Sequence, residues 1–159
     1  MKNNQLMIYG AYGYAGELMV REAVAQGLRP IIAGRDDEKL KPIATELSLE
    51  CRAFGVRNTG SNLQDISVLL NCAGPFSATA EPLARACLAQ QIHYLDITGE
   101  IDIFRKCHAL DEEARQQNVL ILPGAGTDIV PTDCLAAMLK EKLPVATRID
   151  LALSFGTNP

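Results

Sequence analysis

The chain has 159 residues, 48% of them hydrophobic and 21% charged, which suits one soluble globular domain with its own core. A chain of this length buries enough surface to hold together without disulfides. Its formal net charge of −4 offers no basic footprint for nucleic acid or an anionic membrane surface, so any anion it binds is held by local geometry.

Short apolar runs then alternate with longer amphipathic stretches, the pattern of a βαβ array. Leu6 to Tyr9 reads as a strand buried on both faces and bounded by Gly10. Tyr14 to Gln26 reads as a helix, with Ala15, Leu18, Met19 and Ala23 as its buried stripe and Gly27 as its stop. Pro30 to Ala33 is a second strand, ended by Gly34. From Asp36 a second helix shows Leu40, Ile43, Ala44 and Leu47 at helical spacing. Pro42 lies inside it and removes a backbone donor, so a loose first turn and a regular later helix are expected. Cys51 to Phe54 is a third strand, followed by a polar loop through Thr59-Gly60-Ser61.

Val68 to Cys72 is the fourth strand, closed by Ala73-Gly74-Pro75. Pro82 suits the first turn of a helix running to about Gln90. His93 to Ile97 is the fifth strand, ending at Thr98-Gly99, and Ile103, Phe104, Cys107 and Ala114 mark the buried stripe of the next helix. Val119 to Leu122 is the sixth strand, and a helix follows over about Asp133 to Lys142. Ile149, Leu151, Leu153 and Phe155 alternate with Asp150, Ala152 and Ser154, the period-two pattern of a strand with two unlike faces. The expected fold is therefore α/β: a doubly wound parallel sheet of order 3-2-1-4-5-6 over residues 1–146. Residues 147–159 are expected to begin a second, mixed-sheet domain, of which the chain carries only the first strand.

The five cysteines are scattered singly, with no C-x-x-C pair and no Cys/His cluster at zinc spacing. Reduced core thiols, no metal site and a cytoplasmic location are expected. No run is long enough for a signal core or a membrane span.

The chemistry concentrates at strand ends. Gly10-Ala-Tyr-Gly13-Tyr-Ala-Gly16 joins a buried strand to an amphipathic helix. There the first glycine permits a tight turn, the second lets backbone amides approach a pyrophosphate, and the third lets the helix lie close to the sheet. The helix N-terminus adds free N–H groups and a positive dipole. An ordinary βα turn would use glycines too, so on these residues alone both readings stand. The second strand ends in Gly34-Arg35, with no acid to hold a ribose 2′-hydroxyl. A guanidinium there can pair with the 2′-phosphate of NADP; a surface arginine beside a helix-capping Asp36 is the alternative.

Three further strand ends carry polar or small residues: Asn71 to Phe76, Asp96 to Glu100 and Gly124 to Asp128. Each alone is ordinary turn chemistry, but ligands of open α/β sheets lie along this one edge. No Tyr-x-x-x-Lys pair follows Asn71-Cys72-Ala73-Gly74. Cys107 and His108 are helix neighbours that point apart and form no dyad. His93 reads as a structural histidine, and Glu100 and Asp102 suit a helix start through the dipole alone.

The runs Met7 to Gly16, Ala33-Gly34-Arg35, Asn71 to Phe76, His93 to Glu100 and Pro123 to Asp133 closely resemble the saccharopine dehydrogenase-like family, in the branch of the bacterial trans-acting enoyl reductases. The resemblance spans the chain in order and implies a Rossmann domain that binds NADP(H), with NAD the lesser partner. Carried over by position, Gly10, Tyr12, Gly13, Tyr14, Ala15 and Gly16 would hold the pyrophosphate and Arg35 the 2′-phosphate. Cys72, Ala73, Gly74, Pro75 and Phe76 would border the riboses, and Thr98, Gly99 and Glu100 would face the nicotinamide. Family members continue well past Pro159, into a substrate and dimerisation domain. The expected function is hydride transfer between NADPH and a C=O, C=N or C=C group of a small-molecule substrate, by a full-length protein that forms a homodimer through its C-terminal domain. This stretch alone is expected to be inactive. A non-catalytic NADP sensor and a bare nucleotide-binding scaffold are the alternatives. Hydride transfer needs no side-chain nucleophile, so no catalytic residue is named; Glu100 and Asp128 are the candidate proton donors.

Overall fold

The computed structural model describes residues 5–127 and 129–152. Its strands are β1 (Leu6–Tyr9), β2 (Ile31–Gly34), β3 (Cys51–Ala53), β4 (Val68–Asn71), β5 (His93–Asp96) and β6 (Ile121–Leu122). All pairings are parallel, in the spatial order β3-β2-β1-β4-β5-β6, as the sequence predicts. The register sets Ile8 opposite Ile32 on one side and Leu70 on the other.

Successive residues of a strand face opposite sides of the sheet, and here both sides are covered. Met7, Tyr9, Ile31, Ala33 and Leu69 enter one core, while Ile8 and Ile32 enter the other. The first core is closed by α3 (Phe76–Ala89), α4 (Ile101–His108) and α5 (Asp111–Gln116), through Leu83, Cys87, Ile103, Cys107 and Ala114. The second is closed by α1 (Tyr14–Ala25) and α2 (Asp37–Leu47), through Val20, Ala23, Leu40 and Ile43. Leu40 is fully buried, and its burial contributes roughly 1.5–3 kcal/mol. Asp36 caps α2 by accepting the Lys39 N–H at 3.3 Å, and α2 then runs through Pro42 without a break. The first-turn bond from the Leu40 N–H to the Asp36 carbonyl is long at 3.3 Å, the loosening expected ahead of a proline. His93 is structural: its Nδ1 accepts the Leu120 N–H at 2.9 Å and ties β5 to β6.

Several expectations need correction. Leu18 is exposed, and the buried stripe of α1 is Gly16, Val20 and Ala23. The contact made by Gly16 sets the helix's rotation, and at 3.6 residues per turn Leu18 then lies on the far side. Pro82 lies well inside α3, because the helix already starts at Phe76 behind Pro75. The stripe from Ile103 to Ala114 is divided between α4 and α5 by a turn at Ala109-Leu110. The polar loop after β3 contains a short 3₁₀ turn over Gly60–Leu63.

The last helix, α6 (Val130–Lys142), starts earlier than the expected Asp133, because Pro131 fits a first helical turn. None of its residues is buried, and Val130, Leu135, Met138 and Leu139 face solvent. Residues 147–152 form no strand; Leu153 and Phe155, on which the expected alternation also rests, lie outside the described residues.

Candidate functional site

The order of the sheet reverses at β1, which has β2 on one side and β4 on the other. The loops after β1 and β4 therefore leave in opposite directions, and a crevice opens above the strand ends between them. Gly10 begins the turn with φ +84°, a left-handed conformation that glycine adopts without strain. A methyl group there would also lie 2.8 Å from the Ala73 nitrogen. The turn is clamped to β2, because the N–H groups of Gly10 and Ala11 both donate to the Ala33 carbonyl, at 2.7 and 3.1 Å. Gly16 lies against the turn so closely that an added Cβ would sit 2.1 Å from the Gly10 oxygen.

At the start of α1 the N-cap is Gly13, and it supplies no side-chain acceptor. The first intrahelical bond runs from the Glu17 N–H to the Gly13 carbonyl at 2.8 Å. The N–H groups of Tyr14, Ala15 and Gly16 precede that bond, so they are the open donors of the helix end. Glu17 sits in the first turn, but its carboxylate is held by Arg21 at 2.8 Å. A helix start with open N–H groups and no capping side chain is the arrangement that favours an anion.

A groove of about 370 Å³ lies beside this turn. Of the residues singled out from sequence, Gly10, Tyr12, Gly13, Arg35, Cys72, Ala73, Gly74 and Pro75 line it. Tyr14 (87% exposed), Ala15 and Gly16 stand just beyond, as the first turn of α1. Gly34, which the sequence pairs with Arg35 at the end of the second strand, lines it too, and Tyr9, Gly55, Val56, Ala78 and Thr79, which the sequence does not single out for the site, complete the lining. Gly55 and Val56 follow β3, whose end carries no motif, and Ala78 and Thr79 lie in the part of α3 that the Pro82 argument left out. The Tyr12 ring lies over Gly34, where a Cβ would meet the ring carbon Cε1 at 2.6 Å. Lys39 Nζ is 5.7 Å from the centre of the same ring.

A second group of residues organises the ends of β4, β5 and β6. Asn71, Thr79, Asp96 and Thr98 are the buried polar residues of the described chain, and all lie here. The Asp96 carboxylate accepts from the Tyr94 hydroxyl (2.8 Å), the Thr98 N–H (3.0 Å) and the Gly124 N–H (3.0 Å). Asn71 Nδ2 donates to the Tyr94 hydroxyl (3.1 Å) and Thr79 Oγ1 (3.2 Å), and its Oδ1 accepts the Ala73 N–H (3.0 Å). Thr79 Oγ1 donates to the Ala73 carbonyl at 2.6 Å. This knot fixes the groove's Ala73–Pro75 wall to the neighbouring loops. The sequence marks Asp96 as the start of a polar strand end, but its part as the buried acceptor of three bonds depends on contacts that spacing does not carry.

Thr98, Gly99 and Glu100 do not line the groove but sit beside its α3 end. Thr98 is buried, and its Oγ1 accepts the Glu100 N–H at 3.1 Å. Glu100 in turn accepts the Phe76 N–H at 3.1 Å, so its carboxylate caps the start of α3. Phe76 is half-buried against the core. Burial, reinforced by the charge of Asp96, pushes the Cys72 thiol up to about 12, which leaves it an uncharged wall. Asp128 lies outside the described residues. Among the described residues no group of His, Cys, Asp and Glu is gathered to hold a metal ion, and no helix is long and apolar enough to cross a membrane.

A larger hollow of about 460 Å³ lies beside β6, away from this crevice. Its walls include Phe104, Leu120 and Ile121, and its Asp111 and Arg115 are joined to each other at 2.9 Å.

Residues 6–122 match the family model for the saccharopine dehydrogenase NADP-binding domain. A saccharopine dehydrogenase-like oxidoreductase of Rattus norvegicus is 27% identical, over 81% of this chain and 35% of its own length. A Mycobacterium tuberculosis protein named as a trans-acting enoyl reductase is also 27% identical, over 80% of this chain and 33% of its own. The chain thus spans about a third of these relatives. Apo saccharopine dehydrogenase (L-Glu forming) from Saccharomyces cerevisiae superposes with a TM-score of 0.76, at 12% identity, over 89% of this chain and 32% of that one. At that identity the likeness is one of fold.

Proposed function

Since the chain belongs to the saccharopine dehydrogenase NADP-binding domain family, we propose that its groove is the seat of NADP(H) in an oxidoreductase that extends beyond these residues. The observation that carries this reading is the uncapped start of α1 at the sheet's switch point, where Gly10 and Gly16 leave no room for side chains. On this reading the N–H groups of Tyr14, Ala15 and Gly16 hold the pyrophosphate, with Gly10, Tyr12 and Gly13 forming the floor. Arg35 takes the 2′-phosphate. Cys72 to Phe76 border the riboses, and Thr98, Gly99 and Glu100 stand on the nicotinamide side. The bound dinucleotide would supply hydride chemistry toward a C=O, C=N or C=C group. The chain's own part is to bind, to orient and to keep water away from the nicotinamide end.

The substrate and homodimer contacts belong, on this reading, to the part of the protein outside residues 1–146. The unburied apolar side of α6 supports a further domain covering it. Cytoplasmic location is part of the same proposal, from the scattered thiols. Glu100 and Asp128 stand as candidate proton donors in the full-length protein.

Calorimetric titration of this chain with NADPH and NADH tests the reading. Arg35→Ala should weaken NADPH about tenfold or more, the worth of a charge-assisted phosphate contact, and leave NADH nearly unchanged. Equal losses for both would remove the 2′-phosphate role.

A further inference from the structure

Guanidinium groups on this acidic protein are matched almost everywhere. Arg21, Arg52, Arg85, Arg105, Arg115 and Arg148 each pair with a carboxylate, and Arg29 donates to the Ser48 carbonyl. Of the arginines among the described residues, only Arg35 and Arg57 make neither an ion pair nor a hydrogen bond. Both are exposed; Arg35 lines the groove, and Arg57 follows Val56, which also lines it.

Their closeness follows from the sheet. Gly34 ends β2 in register with Ala53 at the end of β3. The Phe54 N–H donates to the Gly34 carbonyl at 2.9 Å, and the Tyr9 hydroxyl donates to the Phe54 carbonyl at 2.9 Å. The loop after β3 is thereby pinned to the ends of both β1 and β2. Gly55 and Val56 line the groove together with Gly34 and Arg35. Arg57 follows directly, in a turn closed by the Asn58 N–H to the Gly55 carbonyl at 2.8 Å. The acid next to Arg35 in sequence, Asp36, is committed to α2, where it accepts the Lys39 N–H and faces Lys39 Nζ at 3.7 Å.

Resting on the cofactor reading above, we propose that Arg57 is a second specificity-determining cation, which closes on the adenosine 2′-phosphate from the side opposite Arg35. A phosphate monoester with close to two negative charges suits two guanidinium groups, each of which can donate in bidentate fashion. Two unmatched cations beside one groove, in a chain of net charge −4, are what a dianionic ligand group requires.

The test is titration of the 159-residue chain with NADPH, NADH and adenosine 2′,5′-bisphosphate, using Arg57→Gln and Arg57→Lys. Arg57 is exposed and unpaired, so both variants should fold, and circular dichroism checks this. Arg57→Gln should weaken NADPH and the bisphosphate by about tenfold and NADH by less than about twofold, and should flatten the salt dependence of NADPH binding; Arg57→Lys should recover part of the loss. Unchanged NADPH binding in Arg57→Gln, while wild type still prefers NADPH to NADH, would overturn this proposal and leave the cofactor reading intact. Equal losses for NADPH and NADH would point to contact with the adenine ring and also overturn it. Wild-type chain that binds no dinucleotide would overturn both.

Discussion

A single methyl group on Gly16 would have to share space with the Gly10 carbonyl, 2.1 Å away. Alanine is the better helix former by about 1 kcal/mol, but the clash is with backbone that cannot yield. Gly16→Ala should therefore destabilise the chain by about 3 kcal/mol, read from urea unfolding, and lower dinucleotide affinity because α1 is pushed off its seat. The thiols make a second residue-scale prediction. Cys134 is exposed, whereas Cys72, Cys87 and Cys107 are buried, and burial pushes them up to about 12, about 12 and about 11. Iodoacetamide at neutral pH should modify Cys134 first and the buried three only as the chain opens, as peptide mass mapping would show. The glycine roles were legible in sequence because a missing side chain is a steric statement that spacing already contains. Thr79, Gly55 and Val56 were not, since each reaches the groove from an element whose bounds or neighbours sequence periodicity does not define.

At the scale of elements, one carboxylate, Asp96, ties the end of β5 to the loop after β6, and the Tyr94 hydroxyl links it on to Asn71 of β4. Asp96→Ala would strand the Tyr94 hydroxyl and the N–H groups of Thr98 and Gly124 without their acceptor. Each buried orphan costs about 1–3 kcal/mol, so a loss on the order of 4 kcal/mol is expected in urea unfolding. Asp96→Asn keeps an oxygen for the two N–H groups and should lose about half as much. A variant no less stable than wild type would show that these bonds do not hold the strand ends. The helices illustrate why periodicity locates elements better than it rotates or bounds them. Leu18 has the hydrophobicity of a core residue, but the contact of Gly16 turns it outward. Pro82 looked like a start because sequence weighs its missing N–H, while α3 begins six residues earlier, at Phe76.

For the whole molecule, the buried thiols set a direction for alkaline stability. Their folded values lie above the ordinary thiol value of 9.0, so the folded chain keeps protons that the unfolded chain releases. Their contribution is complete below that value and is lost as pH rises through about 11 to about 12. Tm should hold near neutrality and fall once the pH exceeds about 9; a flat Tm up to about pH 11 would contradict the burial of these groups. The amino-acid order alone determined the sheet, its strand order and the place of the crevice, because two-sided burial, alternating periods and right-handed crossovers allow few other arrangements. It also determined the glycine turn, whose sterics are local. Only the tertiary structure decided which buried carboxylate fastens the ends of β5 and β6, which side of α1 faces inward, and which two arginines remain unmatched. Those properties depend on distances between residues far apart in the chain, and no sequence period encodes them.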